Sequence, residues 1–182
     1  MATLDQIPAA LYFFVPAYLA NMSPVLVQPW FTSLATPIDA GCTFRGRRVL
    51  GDHKTWRGLL AGIAVAPLVL ELQILAHRAG LMRGVALLDY ASCSLWLGVL
   101  LGLGTGVGDA VKSFFKRQIG IAPGASWIGF DQLDFFIGAY AFASVLFAPP
   151  PLATLACVPV VFLGSIAVTA TAAWLGMKES WL

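Results

Sequence analysis

The densest charged segment of this chain is Gly108-Asp109-Ala110-Val111-Lys112-Ser113-Phe114-Phe115-Lys116-Arg117, followed after a short loop by Asp131-Gln132-Leu133-Asp134. Hydrophobic runs, each long enough to cross a membrane, flank it on both sides. Three carboxylates and three cations beside such runs need a physical reason, because charges are costly near lipid. The segment therefore predicts a polar site at the ends of membrane helices, and phosphate chemistry is the hypothesis that it favours.

The composition indicates an integral membrane protein with one domain. Of 182 residues, 59% are hydrophobic and only 11% are charged, whereas a soluble domain has roughly 25% charged residues. The net charge of +2 is too small to indicate a nucleic-acid partner, so none is expected.

Uncharged apolar runs predict an all-α fold in a single polytopic domain, with five membrane spans. The spans are expected at about 7–22, 59–76, 90–107, 135–149 and 152–176. Pro24 ends the first span near Met22, and Pro149-Pro150-Pro151 separates the last two, because proline cannot continue a helix. Two polar loops, 23–58 and 108–134, then share one side of the membrane, and residues 23–37 either lie at the interface or re-enter it.

The distribution of basic residues predicts the orientation in the cell membrane. With five spans, one side holds most of the cations: Arg45, Arg47, Arg48, Lys54, Arg57, Lys112, Lys116, Arg117 and Lys178. Only Arg78 and Arg83 fall on the other side. Because positive loops stay in the cytoplasm, we expect the N-terminus outside, and the C-terminus and the polar site facing the cytoplasm. Trp56, Trp127 and Trp181 then fall near the interfaces.

The third span ends in a glycine-rich run with two overlapping GxxxG patterns, Gly102/Gly106 and Gly104/Gly108. This spacing is not the dinucleotide-binding fingerprint, since no strand precedes it. It is typical of close helix packing in lipid. Helices that approach closely there could place Asp109 beside carboxylates from a neighbouring helix.

Helical spacing groups the charged side chains. If the helix continues past Gly108, then Asp109, Ser113 and Lys116 share one face, and Asp131 and Asp134 share another at the start of the fourth span. Three carboxylates from two helix ends suit Mg²⁺, which takes oxygen ligands together with phosphate oxygens and water. The alternative is that the cations only set topology and the acids only favour a helix N-terminus.

A second basic segment, Gly51 to Gly58, precedes the second span. Lys54 and Arg57 in this segment are interpreted as functional. Asn21 either caps the first span or contacts a ligand. The arginines further upstream are interpreted as a solvated, topology-setting loop: Arg45, Arg47 and Arg48.

Taken together, these motifs resemble those of the CDP-archaeol synthase family over nearly the whole chain. The resemblance rests on three motifs in order: Gly51-Asp-His-Lys-Thr-Trp-Arg-Gly58, Gly108-Asp-Ala-x-Lys-Ser-Phe-x-Lys-Arg117 and Asp131-x-x-Asp134. Asn21-x-Ser-Pro24 and Pro37-Ile-Asp39 also fit. The chain is similar to the larger CDP-diacylglycerol synthases too, but it is shorter, lacks their His-Gly-Gly portion, and has Gln132 where arginine is usual. These departures favour the archaeal ether-lipid branch.

The resemblance implies a Mg²⁺-dependent transfer of CMP from CTP to 2,3-bis-O-geranylgeranylglycerol 1-phosphate, which gives CDP-archaeol and pyrophosphate. On this basis we expect Asp109, Asp131 and Asp134 to bind Mg²⁺ and, with Lys116, to be catalytic. The nucleotide or pyrophosphate would be bound by Lys112, Ser113, Lys116 and Arg117. The lipid phosphate would be bound by Lys54, Arg57 and Asn21.

Three other functions fit the same sequence. An ester-lipid phosphatidate cytidylyltransferase and a CTP-dependent polyprenol kinase use related chemistry, and tail preference is not visible in apolar residues. A small transporter or scaffold, with charges that only set topology, is the alternative outside the enzymes.

Overall fold

The computed structural model describes residues 5–122 and 125–174 as a helical bundle. Its five α-helices are α1 (Ile7–Leu26), α2 (Trp56–Arg78), α3 (Trp96–Gln118), α4 (Phe130–Ala143) and α5 (Pro151–Trp174). The all-α expectation is confirmed apart from one small antiparallel hairpin of β1 (Thr43–Phe44) and β2 (Arg47–Arg48). Lys178, Trp181 and residues 175–176 of the fifth predicted span lie outside the described residues.

Three helices of the described part are long and apolar enough to cross a membrane: α1, α2 and, within α5, Pro151–Thr171. Large leucines on their outer faces are exposed, as lipid contact would require, among them Leu68, Leu72, Leu155 and Leu163. Helix α4, with 14 residues, rises only about 21 Å, which is less than a bilayer core of about 30 Å. The count of five spans and their orientation therefore stay predictions.

Helix α1 runs on to Leu26, past the end expected near Met22. Pro24 lacks the N–H that would bond to the carbonyl of Ala20 in an unbroken helix. The Ser23 hydroxyl donates to that carbonyl instead, at 2.8 Å. Because the orphaned acceptor is satisfied, the proline does not end the helix.

The connections before α3 and before α5 also differ from expectation. Helix α3 begins at Trp96 rather than Tyr90, because the Asp89 carboxylate caps a separate short turn over residues 90–92 by accepting from Ala91 N at 3.1 Å. The predicted fourth span at 135–149 corresponds to a helix over Phe130–Ala143. Residues 144–150 connect it to α5, which begins at Pro151, a position where proline is well tolerated.

Helix α3 lies between α2 and α4, and its glycines allow both approaches. A Cβ at Gly104 or Gly108 would collide with backbone carbonyls of α4, and a Cβ at Gly138 of α4 would collide with α3 in return. On the other side, Gly102 packs against the backbone of Gly62 in α2. The close packing predicted from the GxxxG patterns is confirmed, and Gly104/Gly108 is the pair that faces the helix with the second set of acids.

Candidate functional site

A cavity of about 1350 Å³ lies between the helices at the charged end of the bundle. It contains most of the side chains singled out from the sequence: Asn21, Lys54, Asp109, Lys112, Ser113, Lys116, Arg117, Asp131 and Asp134. Its walls are also partly apolar, with Tyr18, Met22, Val25, Leu59 and Val168 on the side of α1, α2 and α5. The cavity can therefore accept a molecule with one charged and one apolar end.

The polar end of the cavity is built around one lysine. Lys112 Nζ lies 2.9 Å from Asp109 Oδ1, 3.1 Å from Asp131 Oδ1 and 2.6 Å from Asp134 Oδ2. Three carboxylates from two helices thus converge on a single nitrogen. We call the three aspartates together with Lys54, Lys112 and Lys116 the acid–lysine cluster.

Two further lysines complete the cluster. Lys116 Nζ lies 3.0 Å from each carboxylate oxygen of Asp131 and donates to the carbonyl of Ala125 at 2.6 Å. Lys54, from the loop before α2, pairs with the other oxygen of Asp109. The cluster therefore joins α3, α4 and the loop of the second basic segment, and its formal charges balance.

Local structure explains how the carboxylate side chains are oriented toward the cavity. Helix α3 continues past Gly108, so Asp109, Lys112 and Lys116 lie on one face of it. Because Gly108 lies against the backbone of Asp134, the first turn of α4 reaches that face. Asp131 in this turn accepts a hydrogen bond from Trp127 N at 2.5 Å, which fixes its orientation toward the cavity.

Two carboxylates of the cluster, those of Asp109 and Asp134, respond differently to their surroundings. Burial disfavours the charge of Asp109, but the Lys54 and Lys112 ammoniums hold the pKa of Asp109 below its usual range. Burial raises the pKa of Asp134 to about 6, against the influence of Lys112. Lys112 is itself buried, yet Asp109 and Asp134 raise its pKa. The cluster is thus a set of charges that stabilise each other away from water.

The chemistry of these donors fits a hard dication. Asp134 Oδ2 is buried and accepts no hydrogen bond of acceptable geometry, although Lys112 Nζ lies near it. Within residues 5–122 and 125–174, no three His, Cys, Asp or Glu side chains are already arranged at metal-binding distances. The Lys112 nitrogen occupies the point where Asp109, Asp131 and Asp134 converge, so a metal there would require Lys112 to move away.

The remaining predicted residues divide into two groups. Ser113 lines the cavity, and its hydroxyl donates to the carbonyl of Asp109 at 2.8 Å. Asn21 lines the cavity from α1. Arg57 is not among the lining residues; its guanidinium donates to the carbonyls of Gln28 at 2.8 Å and Trp30 at 3.1 Å. Arg57 therefore holds the loop after α1 in place.

Asp39 has a larger structural role than the sequence indicated. Its side chain is almost fully buried and accepts from the backbone N–H groups of Gly41, Leu50 and Gly51 and from the Arg48 guanidinium. The Arg48 guanidinium and these N–H groups hold the pKa of Asp39 well below its usual range. This network fixes the turn that presents Lys54 to Asp109. In the sequence, Asp39 was singled out only as part of the Pro37-Ile-Asp39 segment.

Comparison with known proteins identifies the family. The family model CarS-like, described as CDP-archaeol synthase, matches residues 3–182. The chain belongs to the CDP-archaeol synthase family. The resemblance found in the motifs is thereby confirmed, and the chain is a membrane protein, as its composition predicts.

Named members of the CDP-archaeol synthase family are similar over most of the chain. The CDP-archaeol synthase of Thermococcus onnurineus is 44% identical over 144 residues, which are 78% of this chain and 76% of the relative. That of Methanocaldococcus jannaschii is 35% identical over 179 residues, 95% of this chain and 96% of the relative. A solved structure of an intramembrane enzyme for archaeal membrane lipids biosynthesis is 32% identical, with a TM-score of 0.70, and the match covers 87% of this chain and 91% of that one.

Proposed function

We propose that this chain transfers CMP from CTP to 2,3-bis-O-geranylgeranylglycerol 1-phosphate, giving CDP-archaeol and pyrophosphate, with Mg²⁺ as cofactor. Membership of the CDP-archaeol synthase family supports CDP-archaeol as the product. The observation that carries the assignment of the site is the convergence of Asp109, Asp131 and Asp134 on one cationic nitrogen inside a cavity that is also partly apolar.

In this proposal the three aspartates hold Mg²⁺. Carboxylate oxygens are the donors that Mg²⁺ prefers, and one or two of them usually bind it together with phosphate oxygens and water. When bound, Mg²⁺ neutralises charge on the phosphates and on the departing pyrophosphate. Lys112 would then leave the centre of the cluster, and its ammonium would remain close enough to contact a phosphate oxygen.

Cations on α3 would bind the triphosphate. Lys112, Lys116 and Arg117 all line the cavity and follow one another along the last turns of the helix. Lys116 is buried, so its charge is poorly screened and acts strongly on an anion placed beside it. Ser113 can donate its hydroxyl to a phosphate only by giving up the carbonyl of Asp109.

The lipid phosphate would lie between Lys54 and Asn21. Both line the cavity, and Lys54 pairs with Asp109 Oδ2, whereas Lys112 pairs with Oδ1 of the same carboxylate. The isoprenoid tails would follow the apolar wall formed by α1, α2 and α5. Arg57, which was assigned to this phosphate from the sequence, is left out, because its guanidinium lies on the carbonyls of Gln28 and Trp30.

The reaction needs little acid–base help from the protein. An oxygen of the lipid phosphate attacks the α-phosphorus of CTP in line, and the bond from that phosphorus to the oxygen bridging to the β-phosphate breaks. The attacking group is already anionic near neutral pH, so a strong general base is not required. The chain's contribution is positioning and charge neutralisation, with the cavity facing the cytoplasm, where CTP is found.

A direct assay tests this proposal. Purified protein in detergent is given labelled CTP with either the geranylgeranyl ether phosphate or phosphatidic acid, with and without Mg²⁺. We expect labelled CDP-lipid only with Mg²⁺ and mainly with the ether lipid. Equal turnover of phosphatidic acid would instead indicate an ester-lipid cytidylyltransferase, and label on the lipid from the γ-phosphate would indicate a kinase.

A further inference from the structure

A second, smaller cavity lies next to the main one and shares three lining residues with it. It has a volume of about 430 Å³ and is formed between the β1–β2 hairpin region and the C-terminal end of α3. We call it the arginine pocket, after the three guanidiniums among its lining residues: Arg47, Arg48 and Arg117. Asp52 is the carboxylate among its described lining residues, so the lining has an excess of positive charge.

The walls of the arginine pocket are held by specific contacts. Arg47 donates to the carbonyl of Gln118 at the end of α3, which docks the hairpin onto the helix. Arg48 is bound by Asp39 at 2.8 Å and by Asp52 at 2.7 Å, and these carboxylates occupy much of its donor capacity. These arginines were expected to lie in a solvated loop that only sets topology. In the structure they are part of a built concave surface.

Arg117 connects the two cavities. It lines both of them, as do Gly51 and Asp52. One guanidinium nitrogen of Arg117 donates to the carbonyl of Ala122 at 3.1 Å, whereas its Nε is buried and has no hydrogen-bond partner. A buried guanidinium N–H without a partner is costly. Because this Nε is enclosed, an anion in either cavity would bond it only if the Arg117 side chain turned.

Gly51 lies beside the Arg117 side chain. Its φ of +97° is a left-handed conformation that glycine adopts without strain, and a Cβ there would point at the Arg117 side chain. Gly51, Asp52 and Arg117 form the boundary that the main cavity shares with the arginine pocket. An anion that leaves the main cavity past this boundary would meet the guanidiniums of Arg47 and Arg48.

We propose that the arginine pocket binds inorganic pyrophosphate as it leaves the main cavity. Arg117 would contact the anion first in the main cavity and then in the arginine pocket. The inference rests on the proposed function, which produces one pyrophosphate for each lipid activated. Guanidiniums suit this ligand, because their planar fork can bind two phosphate oxygens at once. A membrane lipid headgroup shares the phosphate chemistry, but the wall shared with the main cavity favours the soluble product.

Equilibrium binding of labelled pyrophosphate to the full-length chain in nanodiscs of neutral lipid tests the proposal without requiring turnover. We expect Arg47→Gln to weaken pyrophosphate binding about five- to tenfold and to leave the affinity for a non-hydrolysable CTP analogue within about twofold. Arg45→Gln is the matched control. It removes the same charge from the same hairpin, but Arg45 stacks over Phe44 and lines neither cavity; we expect wild-type binding.

Loss of Arg47 could also disturb the hairpin, because Arg47 docks it onto α3. A second pair of variants therefore tests the pocket with Arg47 in place. Ile121 lines the arginine pocket and not the main cavity. Ile121→Glu adds a negative charge, and Ile121→Gln adds nearly the same volume without it. We expect the glutamate variant to bind pyrophosphate more weakly than the glutamine variant, since like charges repel.

Three results would overturn the pyrophosphate assignment. The first is equal pyrophosphate affinity in Arg47→Gln and Arg45→Gln together with equal affinity in the two Ile121 variants. The second is a parallel loss of pyrophosphate and CTP-analogue affinity, which would place the arginines in the nucleotide site. The third is pyrophosphate binding that disappears in nanodiscs of anionic lipid, combined with Arg47-dependent enrichment of that lipid, which would assign the pocket to a headgroup. If the wild-type protein formed no CDP-lipid, the proposed function would be contradicted. The binding measurements would still show whether the pocket binds pyrophosphate, because they do not depend on turnover.

Discussion

Single residues in the acid–lysine cluster are tightly coupled, because Lys112 Nζ lies within 3.1 Å of three carboxylates. Removing one carboxylate changes the charge balance around the others as well as the chemistry at its own position. For variants of the cluster, stability must therefore be measured together with turnover, so that a loss of folding is distinguished from a loss of catalysis.

Asp109→Asn and Asp134→Asn are each expected to lower CDP-lipid formation by at least about 100-fold, because each removes a charged oxygen ligand from the proposed magnesium site. The matched control is Asp89→Asn, which changes an exposed aspartate outside the cavity. The measurement is initial rate with labelled CTP, together with size-exclusion elution to verify folding. Near-normal turnover in either cluster variant would remove the metal role from that residue.

Lys54 and Arg57 were predicted together from one motif, and the structure separates them. Lys54→Ala is expected to raise the apparent KM for the lipid phosphate more than that for CTP, because Lys54 lines the cavity beside Asp109. Arg57→Gln is expected to lower thermal stability, since the carbonyls of Gln28 and Trp30 lose their donor. An unchanged lipid KM in the lysine variant, or a selective lipid KM increase in the arginine variant, would reverse these assignments.

At the scale of the elements, the site depends on how closely α3 and α4 approach. Gly108→Ala or Gly138→Ala would place a methyl group against the backbone of the other helix. Overpacking of this kind typically costs about 1–3 kcal/mol, and it would also displace Asp134 from Asp109. We expect a lower Tm and reduced turnover. Gly164→Ala on α5 is the control, because its Cβ would make only an ordinary contact at 3.6 Å. Equal Tm and equal turnover in the three glycine variants would argue against this close approach of α3 and α4.

The turn that presents Lys54 depends on Asp39. Asp39→Asn is expected to destabilise the protein by about 2 kcal/mol near neutral pH, the scale of hydrogen bonds to a charged group. The pKa of Asp39 is lowered in the folded state, so its ionised form stabilises the fold above the usual aspartate pKa of about 3.9, and this contribution fades as the pH falls further. Thermal unfolding of both proteins at several pH values should show the difference narrowing in acid. A difference that widens in acid would contradict this.

The sequence predicted the elements well where a single rule decided them. The charge of Asp109 and its neighbours, the glycine pairs and the prolines at 149–151 each follow from local chemistry. It failed where a particular hydrogen bond decided the outcome. The Ser23 hydroxyl bonds the carbonyl that Pro24 leaves without a donor, and the loop carbonyls that bind Arg57 are brought near it only by folding. Neither interaction leaves a periodic signal in the sequence.

At the scale of the whole molecule, one cavity combines a charged end with an apolar wall. The charged segment beside apolar runs predicted a polar site at the ends of helices, and the cluster at the ends of α3 and α4 has that position. Nothing in the amino-acid pattern distinguished the apolar wall of a substrate cavity from ordinary lipid-facing surface, because both are lined by the same residue types.

The most direct measurement of the central claim is thermal stabilisation by CTP with and without Mg²⁺, compared between the wild type and Asp134→Asn. A ligand at 100 times its Kd stabilises the folded state by about 2.7 kcal/mol. The account predicts that CTP raises the Tm of the wild type strongly only when Mg²⁺ is present, and that Asp134→Asn loses this Mg²⁺-dependent increase. Equal stabilisation of both proteins, with or without Mg²⁺, would contradict a magnesium–nucleotide site built from these aspartates.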